Sequence, residues 1–228
     1  MKGRLLWLEF NKAIILEMQM RQTNEHFRHM LIRISDGVPI TSDFSTLEGR
    51  LVSKVITVDN SAEWYDTPVI SSKNNMKDYI NYKSVLSYAY RSRKVVHNYY
   101  TENFCSSELV SDPSLRDHLL QLHTGKTKSM GILSLGHGMK VVLTQNYDVL
   151  SGIVNNLEGV LKSVRYRTDK EGRRYTVSCV VKVNHLLAEA VPGLSTDEIV
   201  VLRESVYFVI YNPVTRESIK FVRKQLPM

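Results

Sequence analysis

Gly159-Val160-Leu161-Lys162-Ser163-Val164-Arg165-Tyr166 and Tyr175-Thr176-Val177-Ser178-Cys179-Val180-Val181-Lys182-Val183, joined across Asp169-Lys170-Glu171-Gly172, decide how the second half of this chain is read. In the second run Val177, Cys179, Val181 and Val183 fall on one side of an extended chain, and Thr176, Ser178 and Lys182 on the other. That is the period-two alternation of a strand with one buried face. The Asp-Lys-Glu-Gly stretch between the runs reads as a hairpin turn. Working outward, Met139–Thr144, Glu198–Arg203 and Val206–Tyr211 also read as short strands, the last ended by Asn212-Pro213. Strands at this spacing predict a small β-barrel from residue 136 onward.

Upstream the texture differs. Ala13–Leu16 has strand length. Thr23 is placed to cap a helix whose apolar positions Phe27, Met30, Leu31 and Ile34 share one face, with Gly37 and Pro39 as its stop. Ser42 is placed to cap a second helix carrying Phe44, Leu47 and Leu51. Thr67–Ile70 reads as the opening of a strand, Met76, Tyr79, Ile80, Lys83 and Leu86 as a third helix, and Val95–Tyr100 as another strand. Alternation of strand and helix defines an α/β layered domain. Residues 101–135 read as a connection holding one short helix, Leu115–Leu122.

Of the 228 residues, 43% are apolar and 23% charged, which excludes a disordered or fibrous chain. The formal charge of +7 favours polyanionic partners. Cys105 and Cys179 form no C-x-x-C pair, so neither a disulfide framework nor a zinc site is indicated, and a reducing, intracellular setting follows. No apolar run approaches the ~18 residues of a membrane span, and Leu5–Leu8 is too short for a signal peptide.

Three groups of residues bear on chemistry. Gly125-Lys126-Thr127 invites a phosphate-loop reading, but G-x-x-x-x-G-K-[ST] needs glycine at 120, where Leu120 stands, so the triplet reads as a basic surface loop. His26 and His29 lie on the polar side of the first helix without a carboxylate or cysteine to complete a metal set. The hairpin is more informative. Lys162, Arg165, Arg167, Lys170, Arg173 and Arg174 face only Asp169 and Glu171, and Tyr166 and Tyr175 flank the tip. Guanidinium forks bind phosphate and aromatic rings stack on bases. Finally, Arg21 and Gln22 follow an apolar run just before a helix N-terminus, where free N–H groups favour anions.

On these residues the chain resembles the Pif-type superfamily 1B DNA helicases, including Helitron-like transposon helicases. Leu16-x-x-x-x-Arg21-Gln22 is similar to the family's motif IV, L-x-x-x-x-R-Q, and Leu6-Trp7 and Phe10 to its lead-in. Thr67-Pro68-Val69-Ile70 with Asn74 and Asn81 is similar to P-[IV]-I-[ST]-x-x-N. Leu135-x-x-Gly138-Met139-Lys140-Val141-Val142-Leu143-Thr144-Gln145-Asn146 resembles L-x-x-G-x-x-V-M-L-x-x-N. Val154-Asn155-Asn156-Leu157-Glu158-Gly159 resembles V-x-N-G-[ST]-x-G, with Asn156 in place of a glycine; asparagine also tolerates positive φ. The segments occur in the family's order.

The resemblance implies a partial second RecA-like domain over residues 1–135, followed by a small Src-homology-3-like β-barrel over 136–225. It implies that Arg21 is an arginine finger, catalytic toward ATP held with magnesium on another domain, with Gln22 beside the phosphates. It implies single-stranded DNA as partner, contacted by Asn74 and by Lys162, Arg165, Arg167, Arg173 and Arg174, with a nuclear role in DNA repair, recombination or transposon replication. The phosphate loop, the magnesium-binding acidic pair and a G-D-x-x-Q-L-P-P segment are absent from the sequence. They are expected on an N-terminal RecA-like domain preceding Met1, so the chain reads as a truncated portion, inert toward ATP and binding no cofactor alone. The competing reading is a non-enzymatic single-stranded nucleic-acid-binding module or transposon remnant.

Overall fold

The structure, a computed structural model, describes residues 4, 7–12, 14, 22–65, 67–184, 187, 191–212 and 216–228. Residues 1–64 and 65–228 form two compact units.

The first unit is helical: α1 (Glu25–Ser35), α2 (Thr41–Glu48), α3 (Val52–Val55) and a 3-10 turn at Ser61–Trp64. The α1 cap is Asn24 rather than Thr23; its side-chain oxygen accepts from the Phe27 N–H at 2.9 Å. Gly37 takes φ +73 and ends the helix as expected. Ser42 does not cap α2. That role falls to Asp43, which accepts the Ile40 N–H at 3.0 Å and is itself buried. Arg33 forks onto both Asp43 oxygens at 2.9 and 2.5 Å and holds the carboxyl at about 2, against the upward push of burial. Met30, on the expected apolar face of α1, is fully buried. Of the strand expected at Ala13–Leu16, only Ile14 lies within the described residues.

The second unit opens with α4 (Asn74–Ser92) and continues β1 (Val96–Tyr100), β2 (Glu102–Cys105), β3 (Glu108–Leu109), α5 (Pro113–Gln121), α6 (Thr124–Thr127), β4 (Ile132–Gly136), β5 (Lys140–Val142), β6 (Glu158–Thr168), β7 (Arg174–Val183), β8 (Glu198–Leu202), β9 (Glu204–Asn212) and β10 (Glu217–Gln225). The chain is thus mixed α/β, as expected. Thr67–Ile70 is not a strand. A short apolar run becomes one only against a partner, and Ile70 is fully exposed. Residues 101–135, expected to be a connection, supply three strands and two helices.

The strands form two sheets, one ordered β4-β1-β7-β6-β5 with β8 also on β7, the other β3-β2-β10-β9. The single barrel expected from residue 136 is not closed. Strands from before that point recruit the later ones, β1 and β4 into the first sheet and β2 and β3 into the second. The chain crosses between sheets three times, at Thr101 between β1 and β2, over residues 110–131 between β3 and β4, and at Arg203 between β8 and β9. Asn156 takes φ +70, the conformation its glycine-like position asks for.

The β6–β7 hairpin forms where expected, with register shifts that leave Lys162 on β6 and Val177 on β7 as extra residues. The second shift corrects the face assignment. Beyond a bulge the alternation slips by one, so Thr176, expected outward, is buried and Val177 is half-exposed. Thr176 donates its hydroxyl to the Gln225 side chain at 3.0 Å. Cys179, Val181 and Val183 remain inward and pack with Leu143, Leu161 and Val201. Burial pushes the Cys179 thiol up to about 12.

Candidate nucleic-acid interface

Asp169 builds the hairpin tip. One carboxylate oxygen accepts the N–H groups of Glu171 and Arg173, each at 2.9 Å, and the other accepts the Tyr175 hydroxyl at 3.0 Å. Burial pushes this carboxyl up, but those donors outweigh it and the net shift is downward. Gly172, at φ +78, closes the turn.

Below the tip the basic residues separate into two sets. Arg167 lies over the Tyr175 ring, 5.1 Å from its centre, and forms an ion pair with Glu102. Arg173 lies 5.4 Å over Tyr100 and pairs with Asp117 at 3.6 Å and Glu171 at 3.5 Å. Arg116 joins the same carboxylates, reaching Glu171 at 3.3 Å. Arg174, by contrast, lies 4.7 Å over Tyr166, and that ring meets Tyr99 edge-on at 5.7 Å. Burial raises the Tyr99 hydroxyl, and Arg174 partly offsets it. Arg165 and Lys170 are exposed. Among the described residues no ion pair engages Arg165, Lys170 or Arg174. Lys162 is half-buried and acts on Asp197, whose main partner is Lys182 at 2.7 Å.

The other candidates lie elsewhere. Asn74 is the exposed first residue of α4, set against α6: a methyl on Gly125 would stand 3.2 Å from its Cβ. Gln22 accepts the Asn24 N–H at 3.2 Å. Arg21 lies outside the described residues. His26 and His29 are exposed on α1. The Gly-Lys-Thr triplet is a helical turn rather than a surface loop. Asp78 takes both the N–H and the hydroxyl of Thr124 at 2.8 Å, and the Thr127 hydroxyl is buried, donating to the Ser129 carbonyl at 2.8 Å. With its hydroxyl and N-terminal amide already used, this turn does not fit a magnesium–nucleotide site.

Sequence reasoning missed Tyr99, Tyr100, Glu102 and Asp117, because only the tertiary fold brings these strand and helix residues to the hairpin. β1 runs parallel to the start of β7, with Tyr99 opposite Arg174 and Tyr100 opposite Tyr175. Their signal was the Tyr-Tyr pair inside an expected strand. It also missed Arg223 on β10, which is fully buried. Arg223 donates to Asn103 at 3.0 Å, the Thr127 hydroxyl at 2.9 Å, and the carbonyls of Ser129 at 2.8 Å and Leu119 at 2.5 Å. Burial lowers it to about 10. The alternation Phe221-x-Arg223-x-Gln225, all inward, was the available signal.

The molecule is therefore an α/β protein with two open sheets and a basic, aromatic β-ribbon. In overall structure the chain is similar to a portion of Pif1 helicases. Unliganded Pif1 from Bacteroides sp matches at 17% identity over 92% of this chain and 39% of that one, with a TM-score of 0.49. A double-mutant Pif1 from Bacteroides matches at 16% over 93% and 39%, TM-score 0.47. Pif1 from Candida albicans matches at 15% over 92% and 44%, TM-score 0.42. The chain spans about two fifths of the length of these structures. No family model matches the sequence, and no curated protein matches it. Among the described residues no helix is long and apolar enough to cross a membrane.

Proposed function

We propose that the chain is a portion of a Pif-type, ATP-dependent 5′-to-3′ DNA helicase and that its own task is to grip single-stranded DNA. Residues 1–135 would belong to the second RecA-like domain and 136–225 to the domain inserted in it. The observation that carries this reading is the succession of four family-like segments, from Leu16–Gln22 to Val154–Gly159, in the family's order along one chain. The hairpin geometry supports the DNA-binding part: Arg165, Lys170 and Arg174 remain outside ion pairs beside the partly exposed ring of Tyr166. Guanidinium and ammonium groups neutralise phosphates while the ring offers a face to bases. Arg21 would serve ATP bound on a separate domain, supplying positive charge where the γ-phosphate develops negative charge. The sequence contains no complete phosphate loop, so the chain alone should not turn over ATP.

The test is fluorescence anisotropy of the whole chain with a labelled single-stranded oligothymidylate across a salt series. Affinity should fall with a slope of about −0.7 per contacted phosphate. Replacing Arg165 and Arg174 together by alanine should cost about tenfold or more and flatten that slope. Salt-independent binding, or none, overturns the DNA-gripping reading. ATP turnover by the chain alone that is lost on Arg21→Ala overturns its inertness.

A further inference from the structure

β9 departs from the pattern its sheet otherwise follows. The inner face of the β3-β2-β10-β9 sheet is packed: Phe208 and Phe221 stack at 5.5 Å and Leu119 covers them. An antiparallel sheet with one packed face ordinarily turns polar side chains to water on the other. The outward residues of β9 are instead Tyr207, Val209 and Tyr211, exposed by 70, 53 and 57%.

Register extends this into a surface. Tyr207 lies opposite Val222, Val222 opposite Phe104 and Phe104 opposite Leu109, an apolar and aromatic row across all four strands. The row below pairs Val209 with Lys220, and the row above runs Ser205, Lys224, Glu102. The Lys224 ammonium stands 4.8 Å over the Phe104 ring. Glu102, at the end of that row, is already bound by Arg167 and Arg203. Tyr207 and Tyr211 are four residues apart, about 13 Å along the strand, and Lys220 and Lys224 are spaced alike. Through Arg167 and Glu102 the face adjoins the tip end of the hairpin.

We infer that this outer face is a second binding surface for single-stranded nucleic acid, continuing the hairpin site and lengthening its footprint. The inference rests on the DNA-gripping reading above. An apolar protein partner would have to cover two lysines, at a desolvation cost. A single strand instead supplies each lysine with a phosphate and each tyrosine with the face of a base, whatever the sequence.

The experiment uses the whole chain and two labelled oligothymidylates, a short one of about 5 nucleotides and a long one of about 16 that can reach both surfaces. Changing Tyr207→Leu and Tyr211→Leu together should leave short-oligonucleotide affinity unchanged and weaken the long one by about tenfold or more, whereas Tyr207→Phe with Tyr211→Phe should retain it. Lys220→Gln should lower the salt slope by about 0.7 for the long oligonucleotide only. Circular dichroism and thermal midpoints equal to the parent's keep the reading on binding. If the leucine pair leaves long-oligonucleotide affinity intact while the Arg165 and Arg174 replacements weaken it, the sheet surface is overturned and the hairpin stands. If the parent chain binds neither oligonucleotide, the hairpin reading falls and this inference with it. If the leucine pair abolishes a concentration-dependent dimer without changing affinity, the face is a contact for a second copy and the inference is overturned.

Discussion

Two polar joints tie the elements of residues 65–228 together, one between the two sheets and one between the second sheet and its helices, and they follow opposite charge logic. At one, the Glu102 carboxylate receives Arg167 from the hairpin and Arg203 from the last crossing between sheets. At the other, Arg223 is buried with neutral acceptors from β2, α5, α6 and the segment after it. One of these, the Leu119 carbonyl, is in the last turn of α5, where carbonyls lack intrahelical donors and the helix dipole favours a cation. The Glu102 joint keeps Arg167 half-exposed, so a polyanion could compete for it. The Arg223 joint is closed to solvent and purely architectural. Two arginines of the same family of strands therefore have different availability, decided by what surrounds them.

The largest break in this contrast should come from Arg223→Leu. It leaves buried acceptors without donors and should cost about 3–5 kcal/mol in urea denaturation. Arg223→Lys should recover only part, because an ammonium cannot reproduce the guanidinium fork. A neutral leucine variant would show that these hydrogen bonds do not hold the joint.

Next is Gly131→Ala, beside the same joint. An added Cβ would stand 2.2 Å from the Leu120 carbonyl oxygen, so backbone must move. The expected loss is about 1–3 kcal/mol, read from the shift in denaturation midpoint.

Glu102→Gln sharpens the comparison in the other direction. Stability should drop by about 1–2 kcal/mol, since Arg167 is partly solvated. Affinity for single-stranded oligothymidylate should meanwhile rise a few-fold as Arg167 and Arg203 are released. Affinity that falls together with stability would place Glu102 outside the competition.

The smallest effect concerns the Arg33–Asp43 pair of residues 1–64. Asp43 is depressed to about 2, so the stability it adds is complete above its unfolded value near 4 and is lost as pH falls through about 2. Asp43→Asn should flatten that acid limb, measured by helical circular dichroism between pH 5 and about pH 1.5.

Much of the strand inventory was legible. The β6–β7 hairpin, β8 and β9 were all visible as alternation or short β-rich runs, and α4 and α5 as helical periodicity. Helix caps were off by a residue or two, because the helices start a residue or two away from the expected places, at Glu25 after Asn24 and at Thr41 before Ser42. Thr67–Ile70 failed because strand propensity is realised only against a partner. Thr176 failed because a bulge one residue away reverses inside and outside. Of the candidate interface, the six cations were legible as a cluster, but which of them a carboxylate already holds was not. Glu102 and Asp117 lie far from the hairpin in sequence, one on β2 and the other on α5, and meet it only in the folded chain.

The sequence by itself determined the local elements and where positive charge and aromatic rings concentrate, because periodicity, turn residues and charge are properties of neighbours along the chain. Only the tertiary structure decided that the strands divide between two open sheets, that Arg167 and Arg173 are neutralised while Arg165 and Arg174 are left, and that Tyr207 and Tyr211 face outward with the Lys220 row between them. Those outcomes depend on strand register and on partners a hundred residues or more away, as with Arg203 and Glu102 or Arg223 and Asn103. In such contacts desolvation and hydrogen-bond geometry, rather than sequence neighbours, set what each side chain can do.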